Sequence, residues 1–123
     1  MKYLPLTGTE GDRTELEAEY RTGKSCGVIR LGEQHLFFKK LLSVYYIPYG
    51  DITRYFRRVE AVPAKIGCCS GEMQVENVVI CGGDRELAQI QLPGKKAALF
   101  LMEELARLAP EASVGCPPRE DVS

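Results

Sequence analysis

One stretch of this chain, residues 95–109, carries a helical apolar period, and it follows a long series of short strand-like runs. Ala98, Leu101, Met102, Leu105, Leu108 and Ala109 recur at i, i+3 and i+4 and form a single apolar stripe. Lys96, Glu103, Glu104 and Arg107 fill the other side, with Glu103 and Arg107 spaced as a favourable i, i+4 pair. Pro110 ends the segment. A helix with one such stripe has to bury it against another layer, and the strands before it make that layer a sheet. Burial of the stripe contributes on the order of 10 kcal/mol gross, from about 1.5 to 3 per large side chain.

The strands are read from composition and punctuation. Residues 26–31 (CGVIRL) and 34–39 (QHLFFK) are β-rich and joined by Gly32-Glu33, the pattern of a hairpin. Residues 43–47 (SVYYI) form a third strand, with Pro48 expected at a strand end or edge. Residues 51–62 are ambiguous, since Ile52, Tyr55, Phe56 and Val59 sit at helical spacing while the β-branched and aromatic content suits a bulged strand. Residues 64–72 (AKIGCCSGE) read as a loop, 73–81 as a strand, Gly82-Gly83-Asp84 as a hairpin turn and 86–92 as the last strand. Residues 1–11 read as an extended or poorly ordered lead. Residues 14–20 (TELEAEY) read as a short helix, with Thr14 as N-cap, Glu17 completing a capping box and Gly23 as the stop; a strand is the competing assignment. The 123 residues fit one domain, with no internal repeat.

GVIRLGEQHLFFK followed by VYYIPYGDITRYFRRV resembles the bacterial pleckstrin-homology-like domains, whose relatives include GRAM domains. The likeness lies in the glycine-led hairpin at 27–38, in Ile47-Pro48-Tyr49, in the Asp51-Ile52 pair entering the next strand, and in the single C-terminal helix. It covers residues 24–109, which leaves 1–23 as a lead and 110–123 as a mobile polar tail. The resemblance implies a strongly bent antiparallel β-barrel or sandwich of about 6–7 strands capped by the helix, and it turns 51–62 into a strand. Six strands are identified above, so a seventh is expected within 14–20 or 64–72. Phe37, Tyr45, Ile47, Val79 and Ile90 are expected to supply the surface that Leu101 and Leu105 meet.

Little in the chain points to catalysis. His35 is the single histidine, and Cys26 across the first hairpin is its one conceivable nucleophilic partner. G-x-S-x-G, H-E-x-x-H and Walker-type sequences are absent, so no catalytic residue is assigned and the chain is read as a non-enzyme. The five cysteines (26, 68, 69, 81 and 116), with no export signal, suit reduced thiols in a cytoplasm. Adjacent Cys68 and Cys69 cannot easily aim both thiolates at one tetrahedral ion, so neither metal nor cofactor is expected. No apolar run reaches the roughly 18 residues of a transmembrane segment.

Charge offers the remaining clue. The net charge is -1, which argues against a nucleic-acid partner, yet residues 39–65 hold six basic residues against Asp51 and Glu60. Among them are Lys39, Lys40, Arg54, Arg57 and Arg58, interleaved with Tyr55. Many pleckstrin-homology domains bind phosphoinositide head groups near the early strands and the loop between them, a place Lys39 and Lys40 match and the arginines match loosely. Arginine and tyrosine also favour interface centres. The expected function is a binding or assembly module whose partner is a protein or a second copy, drawn to exposed sheet edges. The alternative is peripheral binding to anionic lipid through the basic residues.

Overall fold

The computed structural model describes residues 2–8, 10–66 and 69–115, and for 62–73 the backbone alone. In chain order the elements are β1 (Lys2–Pro5), α1 (Arg13–Thr22), β2 (Lys24–Cys26), β3 (Ile29–Leu31), β4 (His35–Lys40) and β5 (Ser43–Pro48). A 3-10 turn at Tyr49–Asp51 leads into β6 (Arg54–Ile66), β7 (Cys69–Gly82), β8 (Arg85–Leu92), α2 (Lys95–Leu108) and β9 (Ser113–Val114). The fold is mainly β and forms two sheets, ordered β1-β5-β4-β3-β2 and β8-β7-β6-β9, and no closed barrel. Neighbouring strands are antiparallel except β1 beside β5 and β9 beside β6. No described helix is long and apolar enough to cross a membrane.

The apolar stripe of α2 lies in the main core. Ala98, Leu101 and Leu105 are wholly buried there with Leu36 and Ile47 of the first sheet and Tyr55, Ile80 and Ile90 of the second. Each leucine contributes about 1.5–3 kcal/mol. Two residues expected in this layer lie elsewhere, because side chains alternate across a strand. Phe37, next to Leu36, lies on the other face with Leu16, Val44 and Tyr46. Val79, next to Ile80, joins Phe56 and Cys81 on the outer face of the second sheet.

α1 covers that other face of the first sheet, so β4 and β5 are buried on both sides. Leu16 is its buried anchor, and Tyr20 meets Phe37 edge-on at 5.5 Å. The N-cap is Asp12 and not Thr14: Asp12 Oδ1 accepts from the Thr14 N–H at 2.8 Å, satisfying one of the free donors of the first turn. Gly23 ends the helix as the C-cap. Glu19 ties α1 to the turn before β4, its Oε2 accepting from the backbone N–H of Gln34 (2.9 Å) and of His35 (2.7 Å). A Cβ on Gly32 would collide with that carboxylate, so the close approach requires glycine.

The seventh strand of the β2–β8 series arises where it was not expected. The run 26–31 is two strands, because Gly27 takes a φ of 61° and folds β2 back on β3 through Gly27-Val28. The window 14–20 is helical. Most of 64–72, read as a loop, is strand: β6 and β7 pair continuously from Arg54↔Cys81 to Ile66↔Cys69, while 67 and 68 lie outside the described residues. Glycine and cysteine carry little strand preference, so the ladder with the partner strand decides this stretch. Ser113–Val114 pairs with β6, and 116–123 of the expected tail lies outside the described residues.

Leu101→Ala is expected to lower stability by about 2–5 kcal/mol, measured by urea unfolding. Gly32→Ala is expected to cost about 1–3 kcal/mol and less in a Glu19→Ala background, where the colliding carboxylate is gone; equal losses in both backgrounds would refute the contact.

Candidate functional site

The four candidate residues of β6 do not share a face. Arg54, Phe56 and Arg58 lie on its outer side, while Tyr55 and Arg57 lie on the inner side. Tyr55 is 1% exposed within the main core, so it cannot meet a partner from the surface. Arg54 donates through Nη1 to the carbonyl of Gly115 at 3.0 Å. Arg57 grips Glu76 with two parallel bonds, Nε to Oε1 and Nη2 to Oε2, the fork geometry that arginine forms with a carboxylate. That hydrogen-bonded guanidinium holds the Glu76 carboxyl below its usual range.

Arg58 lies 5.2 Å above the Phe56 ring and donates to Glu86 Oε2 and to Gln89 Oε1, both at 2.7 Å. Gln89 Nε2 then donates to Glu60 Oε1 at 2.6 Å. These polar side chains lie over the outer face that holds Phe56, Val79 and Cys81, and the Glu86 carboxyl is likewise lowered by Arg58. The arginines therefore do structural work within the second sheet.

Cys26 and His35 lie on opposite sides of the first sheet. The Cys26 thiol donates to the Ala97 carbonyl at 3.4 Å in the α2 core, and burial pushes its pKa up, away from the reactive thiolate. His35 Nδ1 is 2.9 Å from Glu19 Oε1 beneath α1, and its ring packs against Phe37 and Tyr46. Among the described residues no three His, Cys, Asp or Glu side chains gather as a metal site.

Lys39 and Lys40 occupy a different setting. They end β4, are exposed, and form no ion pair among the described residues. Leu41 and Leu42 link β4 to β5 in a two-residue turn closed by Lys40 opposite Ser43. Leu41 takes a φ of 57°, a conformation that glycine or asparagine favours and that costs a leucine about 1–2 kcal/mol. Both leucines stand in solvent, 87% and 86% exposed. A tip that is strained and apolar where a polar turn would fold more easily is the least economical feature of the surface.

Beside this hairpin a cleft of about 680 Å³ separates β4 and β5 from β8. Phe38 and Tyr45, stacked at 5.4 Å, form part of one wall, and residues 87–93 form the other. Gly27 approaches Pro93 at its border, where a Cβ would come 3.0 Å from Pro93 Cδ. Its lining includes two charged residues, Lys39 and Lys40. The sequence reading singled out these lysines and missed Leu41, Leu42 and the β8 edge. The overlooked signal was KKLL between two strand runs, a leucine pair where turn residues belong.

Comparison with protein families, with characterised proteins and with solved structures finds no match for this chain.

Because the folded-state pKa of Glu76 is lowered, its pairing with Arg57 stabilises the fold above the unfolded carboxyl range and is lost as pH falls through the lower folded value. Glu76→Gln is therefore expected to be less stable than the parent at pH 7, with the gap closing below about pH 4. Urea midpoints across that range check it, and a gap constant with pH would exclude the pair as its source.

Proposed function

We propose that this chain is a non-catalytic binding module of pleckstrin-homology-like architecture that acts in the cytoplasm. Its recognition face is the open end where the β4–β5 hairpin and β8 flank the cleft. The order of elements supports the architecture, with one antiparallel series β2–β5, a second β6–β8, then a single helix. β1, α1 and β9 are additions to that plan. The separation of Cys26 from His35 supports a role without covalent chemistry. The buried Cys26 thiol suits a reducing compartment.

One observation carries the placement of the face. Two unpaired lysines line the apolar cleft and two nearly bare leucines follow them at the hairpin tip, while Arg54, Arg57 and Arg58 are engaged elsewhere. A protein partner is the first reading, since apolar and basic groups together at a cleft fit a polypeptide bearing the opposite charge. The exposed leucine pair also favours a second reading, in which the tip enters an anionic bilayer while the lysines meet lipid phosphates.

The combined variant Lys39→Glu, Lys40→Glu, Leu41→Ser, Leu42→Ser is expected to fold with stability within about 1 kcal/mol of the parent, because all four side chains are exposed. It is expected to lose the partners that crosslinking in cells recovers with the parent chain. Retention of every such partner would refute the assigned face. Co-sedimentation with phosphatidylserine vesicles separates the readings, since salt-sensitive binding lost in the variant selects the bilayer.

A further inference from the structure

We propose that the cleft receives an extended, acid-bearing segment of a partner polypeptide, which adds as an extra strand along the open edge of β8. This names the ligand of the recognition face assigned above and rests on that assignment.

The first ground is which residues border the cleft. A strand presents alternate side chains to any one side, yet residues 87–93 line this cleft without a gap. An unbroken run means that the cleft runs along the edge of the strand. β8 is the terminal strand of its sheet, so among the described residues the edge away from β7 has no strand partner. Its outward N–H and C=O groups are the kind of template to which an extended chain adds.

Size and lining fit the same occupant. The six strand residues 87–92 span about 20 Å, and a cleft of about 680 Å³ lies within the range of clefts that enclose a ligand. Phe38 and Tyr45 offer an apolar wall opposite the strand edge, where alternate apolar side chains of the segment would lie.

Charge sets the composition. No carboxylate lines the cleft among the described residues, while Lys39 and Lys40 do. Lys40 shares the strand face of Phe38, which directs it over the cleft, whereas Lys39 alternates to the side of Val44. An aspartate or glutamate near the hairpin end of the segment would meet Lys40.

The walls also select among occupants. The β8 of a second copy is joined to its own β7, so it would carry a folded sheet into a space bounded by β4 and β5. A bilayer meets the projecting tip and does not reach a strand edge between two walls. A single extended chain does.

The test uses the full chain as bait for a displayed library of random decapeptides. Enriched peptides are synthesised and titrated while amide hydrogen exchange is followed. Expected are sequences alternating apolar residues with at least one acid, slowed exchange within residues 87–92, and affinity at least about tenfold weaker for Lys40→Glu. N-methylating alternate backbone amides of the bound peptide is expected to weaken binding by about tenfold or more in one of the two registers only. Peptides that bind the cleft without acid selection, or that tolerate both N-methyl sets, overturn the strand-addition proposal and leave the recognition face standing. Vesicle binding with no peptide enrichment overturns it in favour of lipid at the same face. If peptides perturb other residues and the four-residue variant keeps its partners, both the face and its ligand are refuted.

Discussion

The two sheets share one apolar core with the ridge of α2. Among the described residues no strand pair joins one sheet to the other. Leu101 and Leu105 share one cluster with Leu36 and Ile47 from the first sheet and with Tyr55, Ile80 and Ile90 from the second. Apolar packing, which has no directional preference, does the work that a continuous ladder does in a barrel. A gap follows from this arrangement, because no α2 residue lines the cleft between β8 and the β4–β5 hairpin.

The first sheet is secured from its other side as well. α1 presses Leu16 and Tyr20 onto Phe37, Val44 and Tyr46, and Glu19 accepts two backbone hydrogen bonds at the entrance to β4. Tyr49 adds to the same corner, its buried hydroxyl donating to the Gly32 carbonyl at 2.8 Å. Burial, with Glu19 nearby, raises the phenol pKa and keeps it a neutral donor. The N-terminal segment is therefore part of the packed unit, and β4 enters its hairpin from a rigid base. A rigid base is what an exposed, strained tip at Leu41 needs in order to keep its shape.

Charge is distributed by the same logic. Arg57 and Arg58 are one residue apart in β6, yet alternation sends one to Glu76 on the inner side and the other to Glu86 and Gln89 on the outer side. Arg54, Arg57 and Arg58 are thus engaged away from the hairpin, where Lys39 and Lys40 stay exposed. Cys26 and His35 come from neighbouring hairpins but serve different layers, one under α2 and one under α1.

The sequence by itself determined the elements whose signals are local. The 3.6-residue period marked 95–109, where the helix runs Lys95–Leu108, glycines and prolines separated the strands, and TELEAEY between Asp12 and Gly23 formed the expected helix. It even carried a sign of the second layer, since the unbroken runs Leu36-Phe37-Phe38 and Val44–Ile47 suit strands buried on both faces. Only the tertiary structure decided which face each residue took, where 26–31 turned back on itself, and that 64–66 and 69–72 belong to a long hairpin. Those outcomes depend on cross-strand register, where a shift of one residue exchanges the two faces. The cleft is further still from local signals, because its walls are more than 40 residues apart in the chain and belong to two sheets that come together in one core with α2.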